Sequence, residues 1–113
     1  MGVFGLAGSA ATAVGAALAQ LSRTHQVFVV THLAQVAAMA DQQVQVTKHV
    51  ERDGDGERTT ARAVVLGPEA RVAEIARMLS GSPDSSAARE HAAELLAARA
   101  DAPGRRGRRC EVR

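Results

Sequence analysis

The amino-acid sequence predicts an α/β fold, in the order helix, buried strand, helix, β-hairpin and two further helices. Three observations carry the prediction. Residues 26–31, QVFVVT, place apolar side chains at consecutive rather than alternate positions, the pattern of a strand covered on both faces inside a parallel sheet. Residues 44–66, VQVTKHVERDGDGERTTARAVVL, alternate around an Asp-Gly-Asp-Gly centre, as the two arms of a hairpin do. Beyond Pro68, apolar residues return at helical spacing in two runs separated by Gly81 and Pro83.

The elements follow in order. Ser9 is the expected N-cap of a first helix running to about Thr24, in which Val14, Ala17, Leu18 and Leu21 fall at i, i+3, i+4 and i+7. The same region ends in Ala17-Leu18-Ala19, the small-x-small form of a secretory cleavage site. No Lys or Arg precedes it, and the stretch is rich in Gly and Ala rather than Leu, so the amphipathic helix is preferred to a signal peptide. No stretch is long and hydrophobic enough to predict a membrane span.

After the buried strand at 26–31, LAQVAAMA supplies a short helix. The hairpin then turns near Gly54 to Gly56, with Val44, Val46 and Val50 on one face. Pro68 opens the next helix at a position where a first turn tolerates it, Val72, Ile75, Ala76 and Leu79 make its stripe, and Gly81 stops it. Pro83 and Asp84-Ser85-Ser86 start the last helix. Ala88, Ala92, Leu95 and Leu96 lie on one side of it, Arg89, Glu90 and Glu94 on the other, and Pro103-Gly104 ends it. A strand of the 26–31 type expects parallel neighbours on both sides, and no second long apolar strand is present. Part of a sheet is therefore expected outside this sequence.

Composition bounds the rest. The 113 residues suffice for one domain, and a domain of that size buries roughly two-thirds of its unfolded surface. The apolar share comes mostly from Ala and Val, with two Phe and no Trp or Tyr, which predicts a thin core suited to a piece of a larger unit. Cys110 has no partner for an internal disulfide, and His25, His32, His49 and His91 are scattered without metal-ligand spacing. A reducing cytoplasm fits this usage. The five arginines of residues 103–113 against Glu111 give that tail +4, so the net +2 of the chain leaves −2 for residues 1–102. Such a tail, with no interleaved aromatics, is expected to be a solvated, disordered end, or to touch phosphate backbones without sequence preference.

Ligands of open α/β sheets bind beyond the carboxyl ends of the strands. Thr31 and His32 stand there. A neutral imidazole at that place can hydrogen-bond to a water attacking a phosphate, although a histidine after a strand is more often structural. The Asp-Gly-Asp-Gly of 53–56 has the look of a calcium loop, but it lacks a third ligand at the right spacing and Val64 occupies the closing position, so it is read as a turn.

Three segments in order, LSRTHQVFVVTHLAQVAAMAD, RVAEIARMLSG and AAREHAAELLAAR, resemble the C-terminal end of the RecN family of bacterial DNA repair ATPases, relatives of the structural-maintenance-of-chromosomes and ABC-type ATPases. The resemblance runs from about Ala10 to Ala100. It implies that residues 1–102 are the C-terminal portion of an ABC-type P-loop ATPase head and that 103–113 are a basic disordered tail. It also implies that His32 matches the switch histidine, which approaches the γ-phosphate and helps orient the hydrolytic water. In the complete family protein it implies ATP and Mg2+ as cofactors, DNA as partner in double-strand-break repair and recombination, a homodimer formed through the ATPase heads, and a cytoplasmic location.

The pattern departs from the family in its nucleotide-holding parts. No GxxxxGK[ST] loop occurs in these residues, and the first acidic residue, Asp41, follows His32 instead of preceding it. MGVFGLAGS stands where the family has an acidic pair and a short Asp- and Gly-containing loop. LSGS at 79–82 is similar to the LSGG motif of ABC-type proteins, but it follows His32 and closes a helix, so Gly81 is read as a helix stop. Taken alone, the chain is expected to be inactive as an ATPase and to hold no cofactor. The alternative is a non-catalytic interaction module that binds a protein partner or DNA through its C-terminal helices and Arg tail.

Overall fold

The computed structural model describes residues 3–100, with side chains from residue 9 onward. The elements are α1 (Val3–Leu21), α2 (Ala34–Ala37), β1 (Val44–Asp53), β2 (Gly56–Val65), α3 (Pro68–Ser80) and α4 (Ser86–Ala100). Cys110, Pro103-Gly104 and the basic tail lie outside the described residues.

The core is small. Among the described residues Ile75 on α3 is the one large side chain that is fully buried, and it packs with Ala34, Ala37, Ala38, Ala76, Ala88 and Ala92. Val72, Met78, Leu79, Leu95 and Leu96 close its margins. Small residues at the contact let α3 and α4 approach closely and let α2 lie against them. α3 starts after Gly67 with Pro68 in its first turn. It ends at Gly81, whose φ of 78° is the left-handed conformation that a Cβ would disfavour. At the start of α4, the Ser85 hydroxyl accepts a hydrogen bond from the Ala88 N–H at 3.3 Å, satisfying one of the donors a helix start leaves open.

Several expectations are corrected. α1 begins at Val3, so Ser9 sits within the helix rather than at its cap. Its packing face is not the Val14, Ala17, Leu18, Leu21 stripe. Val14 and Leu21 are exposed, while Ala11 and Gly15 are buried and Leu18 and Ser22 half-buried. The reason is steric: a Cβ on Gly15 would lie 3.0 Å from Met39 Cγ, 3.2 Å from the Gln35 carbonyl oxygen and 3.4 Å from Val36 Cα. The helices meet where α1 has no side chain. Gly15→Val is expected to lose about 1–3 kcal/mol by overpacking, and Gly15→Ala to lose less, because about 1 kcal/mol of helix propensity offsets part of the same Cβ crowding. Urea denaturation of the two variants checks this.

The buried strand expected at 26–31 is not found. These residues take no regular secondary structure and pair with no strand among the described residues, and Phe28 and Val30 are 87% and 89% exposed. A strand exists only through the hydrogen bonds of its neighbours, and the sole sheet among the described residues is the β1–β2 hairpin. Among the described residues the order is therefore helix, irregular segment, short helix, hairpin, helix, helix, with a two-stranded antiparallel sheet in place of a parallel one. Because the Phe28 and Val30 side chains touch little, Phe28→Asp with Val30→Asp is expected to shift stability by less than about 0.5 kcal/mol. The pair is also expected to lower self-association, since the exposed, uncharged QVFVVT run is a pairing hazard. Sedimentation at rising concentration reads both states.

The hairpin forms as predicted, with Asp53 opposite Gly56 across a Gly54-Asp55 turn. Val44, Val46 and Val50 do share a face with Ala61, Ala63 and Val65, but that face is open to solvent. The inward face at its base belongs to Gln45 and Thr47. Gln45 Nε2 donates to Glu74 Oε2 at 2.8 Å, so a polar contact joins hairpin and α3.

Candidate functional site

His32 lies between the irregular segment 26–31 and α2. The Thr31 hydroxyl accepts the Leu33 N–H at 3.0 Å, a local turn directly before α2, whose N-cap is Leu33. His32 itself is exposed and makes no side-chain hydrogen bond to another described residue. Its position is inherited from the backbone around it. The imidazole is thus presented to solvent at the end of an apolar run, where it is able to bond a ligand or a water.

That backbone is held from several sides. α2 packs on α1 at Gly15 and on Ile75 of α3. Arg71, a buried residue of α3, sends its Nη2 to the carbonyl oxygens of Ala37, Ala38 and Ala40 at 3.0, 3.4 and 2.6 Å. Its Nε donates to Gln43 Oε1 at 3.3 Å. Carbonyls that the end of a helix leaves open are thereby satisfied. Immediately beyond, Asp41 Oδ1 accepts from Arg99 Nη2 of α4 at 2.5 Å. The segment 31–41 is tied to both C-terminal helices.

Sequence reading singled out His32 but missed Arg71 and Glu74. A signal for Arg71 existed: it precedes Ile75 by four residues, on the same helical face as the core isoleucine. Glu74 accepts from Arg77 Nε and Nη2 at 2.8 and 2.6 Å as well as from Gln45. The hydrogen bond to this carboxylate, and then its charge, raise the Arg77 guanidinium above its ordinary range. A cation so raised keeps its contribution at every pH below its unfolded value and loses it only as pH climbs through the still higher folded one. Arg77 therefore stays charged across the physiological range. Its side chain is half exposed, and the pair is a surface tie of the weak kind.

No three His, Cys, Asp or Glu side chains gather as a metal site among the described residues. No described helix is long and apolar enough to cross a membrane. The 53–56 turn and the Gly81 helix stop take the structural roles read for them.

No protein-family model matches the chain. Similar curated proteins are found. "DNA repair protein RecN" of Streptomyces coelicolor is 52% identical over 98 residues, covering 86% of this chain and 16% of that protein. RecN of Mycobacterium tuberculosis is 54% identical over 93 residues, 81% of the chain and 15% of the protein. RecN of Deinococcus radiodurans is 53% identical over 93 residues, 82% of the chain and 16% of the protein. The chain belongs to the RecN family. It spans about 16% of the length of these RecN relatives, so the matched stretch, His32 region included, is a segment of a much longer family sequence.

Proposed function

We propose that this chain is a part of a RecN-like DNA repair ATPase head, in which His32 serves as the switch histidine of an ATP site completed by residues outside this sequence. The single observation that carries the reading is the family match at 52% identity over 86% of the chain, with His32 standing solvent-facing between the apolar run 27–30 and α2. The exposed Phe28 and Val30 support it as well. Such apolar side chains belong under neighbouring strands, and the RecN relative of Streptomyces coelicolor is about five times as long as this chain, the 98 matched residues being 16% of it.

In the completed site a phosphate loop and a magnesium ion hold the triphosphate. The residues of this chain contribute one group. The His32 imidazole accepts a hydrogen bond from the attacking water or steadies the γ-phosphate, and the clamped backbone of 31–41 keeps it there. Hydrolysis so driven is coupled, in the whole protein, to the handling of broken DNA, and a dimer of heads is the form in which the family site closes.

The test is a hybrid: Streptomyces coelicolor RecN in which this chain replaces the matched 98 residues. The hybrid is expected to hydrolyse ATP in the presence of magnesium and to restore survival of RecN-deficient cells after double-strand breaks. A hybrid that is soluble and folded yet neither hydrolyses ATP nor restores survival overturns the proposal.

A further inference from the structure

We propose that Arg71 is a positioning residue for His32, fixing where the imidazole stands by closing the end of α2 against α3. The inference rests on the proposed role of His32 as the switch histidine, and it adds the device that aims it.

α2 is four residues long, far below the length at which a helix holds itself together in water. Its form must come from what grips it. One grip is the apolar contact with Ile75 and with the bare surface at Gly15. Such contacts are non-directional and would tolerate sliding. The other is directional. A single Nη2 of Arg71 reaches the carbonyls of Ala37, Ala38 and Ala40, and the Nε reaches Gln43, so the planar guanidinium sets the angle as well as the distance of the α2 end.

The choice of residue is itself informative. Burying a guanidinium is costly, and an apolar side chain of similar size would serve packing alone at least as well. What arginine adds is a fixed geometry. Arg71 is anchored one turn before Ile75, the most buried large side chain of the molecule, so the frame it refers to is the α3–α4 core. From the α2 end the constraint runs back through one helical turn to Leu33 and the Thr31 hydroxyl that receives its N–H. His32 lies between these two residues. Since its ring has no hydrogen bond of its own to a described residue, a shift of α2 is passed to it without resistance.

A lysine at 71 keeps the charge and the stem but has no planar fork. The experiment is NMR of the 113-residue chain with Arg71→Lys. We expect amide exchange at Met39 and Ala40 to speed up by about tenfold or more, while that of Ile75 and Ala92 stays at the parent rate, as local opening below the global level predicts. The His32 ring resonances are expected to move, and those of His49 and His91 to stay. A purely structural role predicts otherwise: loosening would spread evenly through α3 and α4 and leave the His32 ring shifts tracking global unfolding.

Either that outcome or an unchanged 31–40 segment overturns the proposal. Should Arg71→Lys not fold, Gln43→Leu removes the Nε acceptor and is expected to give the same pattern at smaller amplitude. In the RecN hybrid, Arg71→Lys is expected to lower kcat at unchanged KM for ATP, since the residue touches no nucleotide. His32→Ala in that hybrid separates the two ideas. If His32→Ala leaves hydrolysis intact, the switch-histidine reading fails, while the NMR pattern still decides whether Arg71 holds the segment.

Discussion

Ile75→Ala is expected to unfold this chain under conditions where the parent is folded. Ile75 is fully buried and the six other buried residues of its core cluster are all alanines, so any collapse into the space it leaves has to come from the larger side chains at the margin, Val72, Met78, Leu79, Leu95 and Leu96. Deleting a buried isoleucine to alanine costs about 2–5 kcal/mol, the upper part of that range applying where the site cannot collapse. With one large side chain fully buried among the described residues, the core is comparable to that of domains below about 70–80 residues, which rarely supplies more than about 3–5 kcal/mol. The two figures are comparable, and the folded population is lost. Ile75→Val, which removes one methylene, is expected to cost about 0.5–1.5 kcal/mol and to remain folded. Helical circular dichroism through a urea titration distinguishes the three proteins. An Ile75→Ala midpoint equal to the parent's would mean that α3 and α4 are held by something other than this core.

His32→Ala is expected to do the opposite, sparing the fold and removing the chemistry. The side chain is exposed and unbonded within the described residues, and substitutions of that kind change stability by less than about 0.5 kcal/mol. In the RecN hybrid, where the proposed site is complete, losing a group that orients the attacking water is expected to lower kcat by about 10²–10⁴-fold. The KM for ATP should stay near its starting value, because the phosphate loop and magnesium do the binding. Steady-state hydrolysis against ATP concentration reads both constants. A rise in KM with kcat unchanged would reassign His32 from chemistry to nucleotide binding.

The helical part of the fold was legible because its signals are local. Pro68, Gly81 and the Ser85 hydroxyl punctuate α3 and α4, and Ile75, Ala76, Ala88 and Ala92 recur at helical spacing on the faces that do become buried. The hairpin was legible from Asp-Gly-Asp-Gly and from alternation, down to which valines share a face. Alternation does not say which face meets a partner, however, and the valine face is the open one.

What sequence reading misplaced depends on distant partners. QVFVVT carries the composition of a buried strand, but a strand is defined by neighbours, and none lies within the described residues. On α1 the larger side chains suggested a packing stripe through Val14 and Leu21, whereas contact with α2 is made where Gly15 leaves room. Arg71 was passed over because charge ordinarily marks a solvent face, and only the carbonyls at the end of α2 show why it turns inward. At the site, His32 was picked out by position and by resemblance, while Arg71, which holds its backbone, was not, although it falls one turn before Ile75 on the same helical face.

In the proposed function these residues carry a histidine of an ATP site and not the means to grip ATP. Calorimetric titration of Mg-ATP into the isolated chain tests this most directly. The result predicted is no saturable binding up to about millimolar ATP, the range in which nonspecific contacts of about −4 kcal/mol begin to register. Micromolar binding that disappears in His32→Ala would contradict it, because the phosphates would then be held by this chain without a phosphate loop.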